Sequence, residues 1–170
     1  DFSNETTSAP GNNLSQARRS LAAVSSSSYG YFGGGYEPPT RVCTIERLDF
    51  SNETLSLPGN NLSQARRSLA AVSNSNYGYF GGAEGPGPNV CTIERLDFSN
   101  ETLSLPGNNL SQARQGLAAV SSSSYGYFGG GFVPSLYVCT IDRLDFSNET
   151  TSLPGNGLPQ ARNTLAAVSN

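Results

Sequence analysis

The chain repeats itself with a period of 48 residues. The phrase Asp-Phe-Ser-Asn-Glu-Thr begins at Asp1, Asp49, Asp97 and Asp145. One half of the unit, seen at residues 49–73, occurs four times, and the other half, which runs from Tyr-Gly-Tyr-Phe to an Arg-Leu pair, occurs three times. Self-similarity at a fixed period of about 20–50 residues predicts stacked supersecondary units. The chain is therefore expected to fold as a solenoid, a propeller or a related array.

Turn-forming residues divide each unit into short segments. In the second copy, Pro58-Gly59 fits the centre of a type II turn, and Gly81-Gly82 breaks the chain again. Tyr, Phe, Val, Ile and Thr are frequent between these breaks, as strands prefer. The predicted strands of this copy are 68–72, 77–80, 90–98 and a weak one near 103–105. A strand and its turn thus take about 12 residues, which is typical of a propeller blade.

Two other repeat architectures are alternatives. Residues 62–72, read alone, carry a helical apolar pattern with a serine near its start. No second helical segment accompanies them in the unit, as a helical repeat would need. A leucine-rich solenoid would need shorter units and more leucine. The sequence therefore predicts an all-β fold of propeller-type blades, with a β-solenoid and a helical repeat as the alternatives.

The repeat divides the chain into one tandem array. Counted from the Leu-Ala-Ala-Val strand and the Arg before it, the complete blades are about 17–64, 65–112 and 113–160. Residues 1–16 would end a preceding blade, and residues 161–170 would supply the first strand of a following one. Propellers close with about 4–8 blades, and an open end exposes strand edges. We expect either a window of a longer chain or an array that other subunits complete.

The composition argues against several classes of function. The chain has no His, and its three Cys stand 48 residues apart in the phrase Val-Cys-Thr-Ile. Catalytic triads and zinc sites need His or clustered Cys, so we expect no catalytic residue, no metal site and no cofactor. A net charge of −3 gives no support for a nucleic-acid partner. No apolar run of about 18 residues predicts a membrane span.

The cysteines themselves have a structural interpretation. Cys43, Cys91 and Cys139 occupy equivalent positions, about one repeat apart, which is too far for a disulfide between them. We expect small buried residues within a strand. Intermolecular disulfides and a reactive thiol are the alternatives.

Charged residues also recur in every unit. An Arg precedes each Leu-Ala-Ala-Val strand, and it either forms an anion site or donates to turn carbonyls between blades. These arginines are Arg18, Arg66, Arg114 and Arg162. The phrase Glu46-Arg47-Leu48-Asp49 either belongs to a ring of carboxylates for a metal or a sugar, or lets Arg47 pair with Asp49 while Glu46 faces the other way. Repetition in every unit favours the structural interpretation of both patterns, because a catalytic pair is needed only once.

The aromatic phrases at 29–32, 77–80 and 125–128 have two interpretations as well. They could form a surface that stacks on sugars, or they could fill the core between blades. By strand alternation, Tyr29 and Tyr31 share one face and Phe32 takes the other. Since blades are covered on both faces, the core interpretation is preferred.

Sequence variation is concentrated in the segment after the Gly-Gly doublet. Loops carried on a constant scaffold often bind partners. The candidate binding residues in these segments are Tyr36, Phe132, Leu136 and Tyr137. Their apolar groups suit a protein partner if they are exposed, and neutral drift in tolerant loops is the alternative.

Each acidic turn contains a sequon of the Asn-x-Ser/Thr type. The four are at Asn4, Asn52, Asn100 and Asn148. In a secreted eukaryotic protein they would be candidates for glycosylation, and in a phage or bacterial protein they would be ordinary turn residues.

The order of these phrases resembles the kelch repeat of galactose-oxidase-type propellers. Arg66 and an apolar strand lead into an aromatic strand that ends in Gly-Gly, and a variable loop at 83–89 precedes a last strand with an acidic turn. The chain departs from the family by having Leu103 or Leu105 where a Trp is expected. The resemblance implies four short antiparallel strands per blade. The copper site of galactose oxidase needs His ligands, so its activity does not carry over.

More narrowly, the sequence of these repeated motifs resembles kelch-like repeat arrays in structural proteins of aquatic bacteriophages. That resemblance implies a non-enzymatic structural or assembly module of a virion or an extracellular surface fibre. It also implies an extracellular or virion-surface location, with further blades or other protein subunits as partners. A ligand-binding propeller, such as an adhesin that binds a glycan or a protein through the variable loops, is the alternative.

Overall fold

The computed structural model describes residues 11–168, and their secondary structure is β throughout, with no helix. The strands are β1 (Ala22–Ser25), β2 (Tyr29–Gly33), β3 (Tyr36–Glu37), β4 (Thr40–Arg41), β5 (Ile45–Asp49), β6 (Leu55–Ser56), β7 (Ala70–Ser73), β8 (Tyr77–Glu84), β9 (Asn89–Asp97), β10 (Leu103–Ser104), β11 (Ala118–Ser121), β12 (Tyr125–Gly129), β13 (Phe132–Val133), β14 (Leu136–Tyr137), β15 (Ile141–Asp145) and β16 (Thr151–Ser152). The all-β prediction is confirmed.

Three four-stranded antiparallel sheets account for most of these strands. Their orders are β1-β2-β5-β6, β7-β8-β9-β10 and β11-β12-β15-β16, so each sheet follows the chain as a simple meander. The register repeats from sheet to sheet, with Val24 opposite Tyr31 in the first and Val72 opposite Tyr79 in the second. We refer to them as the first, second and third sheet.

The helical alternative for residues 62–72 is wrong. Its first part is irregular, and Ala70–Ser73 is a strand that pairs along β8. The apolar spacing that suggested a helix comes from Leu62 and Leu69, which are buried under the loop of the preceding sheet. Tertiary burial, rather than helix formation, thus explains the pattern.

The variable segments contain strands that the sequence did not predict. β3 pairs with β4, and β13 with β14, as two-stranded hairpins beside the main sheets. In the second unit the same segment instead lengthens β8 and β9, with a register shift between Gly81 and Ala83. A Pro-rich loop in sequence is therefore a hairpin in structure, since its prolines lie at the turns.

The hydrophobic core lies between successive sheets. One cluster joins Tyr31 and Ile45 of the first sheet to Phe80 and Leu96 of the second, and an equivalent cluster joins the second sheet to the third. The first strands of the sheets, β1, β7 and β11, are neighbours in space and line a common cavity of about 320 Å³. Each unit is thus stabilised by the next.

A ladder of single backbone hydrogen bonds runs beside the first strands. The N–H of Ser68 donates to the carbonyl of Ser20, that of Gly116 to Ser68, and that of Thr164 to Gly116, at 2.8, 2.9 and 2.7 Å. All four residues have positive φ, between 53° and 65°. Each unit therefore bends the chain in the same way at the same place.

Candidate functional site

Side chains at the junction between the first and second sheets form a small polar network on an aromatic stack. Tyr31 stacks on Phe98 with ring centroids 5.3 Å apart. Its hydroxyl donates to Glu101 Oε1 at 3.1 Å, and Arg47 Nη1 donates to the same oxygen at 2.8 Å. Arg47 also covers the ring of Tyr29 at 4.7 Å from the centroid. The third and second strands of one sheet thus hold the acidic turn of the next.

The second junction repeats this arrangement. Tyr79 stacks on Phe146 at 5.4 Å, and Glu149 accepts from the Tyr79 hydroxyl at 3.0 Å and from Arg95 at 2.9 Å. Glu149 has a positive φ of 58°, the same value as Glu101 at the first junction. The Glu of the Ser-Asn-Glu-Thr turn is therefore a linking residue between units.

Glycines allow the sheets to approach closely. A Cβ built on Gly33 would lie 2.8 Å from the ring of Phe80, and one on Gly81 would lie 2.8 Å from the ring of Phe128. In the neighbouring row, a Cβ on Gly78 would lie 2.5 Å from Val24. The Phe rings themselves are completely buried. Tyr31 and Tyr79 are completely buried too, so these rings are core between units, whereas Tyr29, Phe32 and Tyr127 are only half-buried.

Burial at the junctions raises the pKa of Tyr31 and of Tyr79 well above the usual value of about 10. Loss of hydration is the largest cause, and the neighbouring Glu carboxylate adds to it by accepting a hydrogen bond from the hydroxyl and by repelling a phenolate. The two hydroxyls are therefore held as hydrogen-bond donors.

The arginines that precede the first strands form buried ion pairs rather than an anion site. Arg18 lies 3.1 Å from Glu46, and Arg114 lies 2.7 Å from Asp142, with side chains at most 3 % exposed. Arg66 pairs with Glu94 in the same way, and burial lowers the pKa of Arg66 while Glu94 opposes that shift. Arg18 and Arg114 also donate to the carbonyls of Phe32 and Phe128. These carbonyls lie in the second strand of the same unit, so the expected bond to turn carbonyls between blades is wrong for these two arginines.

The pairing inferred for the Glu-Arg-Leu-Asp phrase needs correction. Arg47 pairs with Glu101 of the next unit, not with Asp49. Asp49 instead accepts from the N–H and the hydroxyl of Ser51 at 2.8 and 2.6 Å, and these bonds lower its pKa. Glu46 does face away from Arg47, but it is buried against Arg18. The aspartate of the acidic turn therefore forms its hydrogen bonds within the turn itself.

A cluster of charged and aromatic groups joins the variable loops of the first two units. Tyr36 lies between the guanidinium groups of Arg19 and Arg67, at 5.4 and 4.5 Å from its centroid. Glu84 accepts from both Arg67 and Arg41. Hydrogen bonding to Arg67, followed by that to Arg41, lowers the pKa of Glu84. The structure therefore places Tyr36 in a contact within the chain.

The third variable loop presents the other candidate binding residues. Phe132 is half-buried and lies 5.5 Å from the ring of Tyr137. Leu136 and Tyr137 are 61 % and 52 % exposed at the tip of the β13–β14 hairpin. The structure thus brings Phe132, Leu136 and Tyr137 together and separates Tyr36 from them.

The sequons lie in exposed turns. Asn52 Oδ1 accepts from the N–H and the hydroxyl of Thr54 at 3.0 and 2.6 Å, and Asn100 and Asn148 make the same bonds in their own turns. Asn4 lies outside the described residues. Each described Asn therefore has a structural role in its turn and an exposed side chain.

The cysteines are free and differ in environment. Cys43 and Cys91 are half-buried, and Cys139 is exposed. Only Cys91 lies in a strand, while Cys43 and Cys139 lie in irregular segments. The expectation of buried strand residues is therefore wrong for Cys43 and Cys139, which lie outside the strands, and Cys91 is a strand residue that is only half-buried.

Two searches of the described part bear on metals and membranes. Among residues 11–168, no three Cys, Asp or Glu side chains lie together as a group that could hold a metal ion. Over the same range, no helix is long and apolar enough to cross a membrane.

No protein-family model and no curated protein matches the chain. The geometry of the junctions and of the variable loops is therefore the basis for assigning a function.

Proposed function

We propose that the chain is a non-enzymatic structural module of kelch-like propeller blades that serves in the assembly of a virion or an extracellular surface fibre. The observation that carries this proposal is the repeated junction, in which the same Tyr, Arg and Glu join one unit to the next. Near-identical units joined by near-identical contacts suit a structural protein that grows by adding further units of the same kind.

The arrangement of the first strands supports the propeller over the β-solenoid. In a propeller, the first strand of each four-stranded blade faces a central channel. Here β1, β7 and β11 line one cavity, and a single bent backbone ladder runs beside them. The proposed blades are 17–64, 65–112 and 113–160. Class averages from electron microscopy test this, because a propeller gives an arc or ring of sheets and a solenoid gives a straight rod.

The roles of the charged groups support a structural rather than a catalytic function. The recurring Arg and Glu side chains form pairs within or between units, with side chains from 0 to 28 % exposed. A catalytic carboxylate needs an open cleft and a substrate-facing oxygen. Incubation of the purified chain with panels of hydrolase, oxidase and transferase substrates should yield no turnover. Turnover that Glu46→Gln or Glu101→Gln abolishes would overturn the proposal.

The proposed location can be tested by fractionation. An antibody raised against the chain is used on the source culture, divided into cell interior, medium, surface-shed material and gradient-purified particles. We expect the chain in purified particles or surface material, in many copies per assembly. Detection in the cell interior alone contradicts a virion or fibre role.

A second candidate function is binding of a glycan or a protein at the third variable loop. The exposed tip formed by Leu136 and Tyr137 favours it, because neither side chain packs into the core. The chain is applied to a glycan array and to immobilised surface proteins, beside the variants Tyr137→Ser and Leu136→Ser. Leu105→Ser is the matched control, since Leu105 is 59 % exposed outside the variable loops. Binding that the loop variants lose and the control keeps supports this function.

A further inference from the structure

The two outer sheets each present one half of a junction. We define the leading face by Gly30, Phe50 and Glu53 of the first sheet. We define the trailing face by Val120, Tyr127 and Arg143 of the third sheet. At both internal junctions, residues equivalent to the trailing face hold residues equivalent to the leading face.

The trailing face lacks the cover that its equivalents have. Tyr31 and Tyr79 are completely buried by the following unit, while Tyr127 is only half-buried. Val24 and Val72 are 6 % and 4 % exposed, while Val120 is again half-buried. Among residues 11–168, Tyr127 and Arg143 contact no carboxylate like the one that Glu101 offers to Tyr31 and Arg47.

Residues of the leading face lack the contacts that their equivalents make with a preceding sheet. Phe50 is 47 % exposed, whereas its equivalents Phe98 and Phe146 are stacked under a tyrosine and half-buried. Glu53 is exposed, although its φ of 56° gives it the same turn geometry as Glu101. One face therefore offers an unpaired carboxylate and ring, and the other offers the phenol and guanidinium that hold such a pair.

We propose that a second copy of this chain docks its leading face on the trailing face of the first, head to tail, with Glu53 accepting from Tyr127 and Arg143. This inference rests on the proposed assembly function. It is continuous with an interface that the chain already forms twice, and the opposite charges of Glu53 and Arg143 favour it. Such a contact is heterologous, and it extends as a filament or closes as a ring.

The segment after the third sheet occupies part of the same place. Residues 158–165 bond to segments that flank strands of the third sheet, through Leu158, whose N–H donates to Cys139, and through Thr164, whose N–H donates to Gly116. Their equivalents in the second copy include Leu14 and Arg18, and the latter is locked by its ion pair with Glu46. Arg162 is exposed and has no such carboxylate among the described residues. The second copy therefore displaces residues 158–165 when it docks.

Sedimentation of the full chain over a wide range of concentration tests the docking. We expect dimers or larger species, and Glu53→Arg or Arg143→Glu should each weaken self-association about tenfold or more by placing like charges together. Mixing these two variants should restore association, because Arg143 of one then meets Glu53 of the other. Glu37→Arg makes the same charge change on β3, outside the residues that define either face, and should have no effect.

Three results would overturn the proposal. The first is a monomer at every concentration, and the second is association that Glu53→Arg and Arg143→Glu leave unchanged. The third concerns Leu158→Asp, which weakens the competing tail and should strengthen association, so a loss of association contradicts displacement. These outcomes are independent of the fractionation test, since a virion or fibre part need not self-associate through these faces.

Disulfide trapping keeps the proposal testable if a charge variant fails to fold. A Cβ on Gly78 lies 3.1 Å from Val24 Cβ, so Gly30→Cys in one copy and Val120→Cys in the next would lie near bonding distance. The background carries Cys43→Ser, Cys91→Ser and Cys139→Ser. We expect a ladder of cross-linked species that reducing agent removes, with neither cysteine alone giving one. Only monomer under oxidising conditions contradicts the docking.

Discussion

The segments 66–72 and 162–168 both contain an Arg followed by Leu-Ala-Ala-Val, but their structures differ. In the first, Arg66 is completely buried and Val72 is 4 % exposed in strand β7. In the second, Arg162 is exposed, Val168 is 92 % exposed, and no strand forms over the described part. The first segment pairs with the aromatic strand β8 and with Glu94, and the second has no equivalent partner among residues 11–168. The strand therefore depends on pairing with β8 and on the ion pair, not on its own sequence.

The largest expected effect separates the two arginines. Arg66→Met leaves the buried Glu94 without a counter-charge, although the N–H and the hydroxyl of Ser63 still donate to it. We expect a loss of about 3–5 kcal/mol in the free energy of unfolding. Arg162→Met should change it by less than about 0.5 kcal/mol, because that side chain is exposed. Urea denaturation of both variants measures the difference. Equal effects would show that the tail is held as firmly as the internal segment.

The next effect uses two equivalent glycines. A Cβ on Gly81 would lie 2.8 Å from Phe128, whereas the nearest atom to one on Gly129 is 3.6 Å away, on Ile141. We expect Gly81→Ala to destabilise the fold by about 1–3 kcal/mol through overpacking, and Gly129→Ala to be nearly neutral. Thermal unfolding of the pair checks this. A neutral Gly81→Ala would mean that the sheets are less closely packed than described.

The third effect concerns alkaline pH. The folded pKa of Tyr79 is raised above the unfolded value of about 10, so its contribution is complete below pH 10 and is lost as the pH rises through the folded pKa. We expect the free energy of unfolding to fall above pH 10, and to fall less steeply in Tyr79→Phe. Tyr127→Phe is the matched control, since it removes a phenol at the same position of the next unit without breaking a bond to Glu149. Identical slopes in both variants would contradict the coupling.

The smallest effect should come from the linking carboxylate. Arg95 and Glu149 are 28 % and 21 % exposed, so solvent weakens their attraction. We expect Glu149→Gln to cost about 1 kcal/mol or less in the free energy of unfolding. Glu53→Gln, whose side chain has no partner in the described residues of one chain, should cost nothing in dilute solution. A large loss for Glu53→Gln would reveal a contact that the monomer does not show.

The strands of a unit could be predicted from the sequence because turn residues and β-branched or aromatic runs are local signals. The predicted strand 77–80 and the weak strand at 103–105 both exist, although β8 is longer and β10 shorter than expected. Alternation placed Tyr31 on one face and the Phe of the same phrase on the other, and the burial of Tyr31 and Phe80 agrees with the expectation that a blade is covered on both faces. The strands and their buried faces could therefore be predicted because the same local pattern recurs in every unit.

The polar contacts could not be derived in the same way. Arg47 pairs with Glu101, which is 54 residues further along the chain, and alternation within one strand pointed to the nearer Asp49. The offset of 28 residues between Arg66 and Glu94 recurs between Arg114 and Asp142, where Asp replaces Glu. That shared spacing was the available signal, and it becomes meaningful only once the fold brings β9 beside the segment before β7.

The junction geometry also has a consequence for the gene. Tyr31 meets Glu101 and Tyr79 meets Glu149 by the same contacts, so removing residues 65–112 would bring Tyr31 against Glu149 in a junction of the same kind. Unequal recombination between repeated stretches of a gene adds or deletes whole units. Since stability in such arrays is approximately a sum over neighbouring units, each change in copy number leaves every remaining junction intact. Only pairings between variable loops, such as Arg41 with Glu84, would be lost. Length is therefore the trait that this sequence can most easily vary by inheritance.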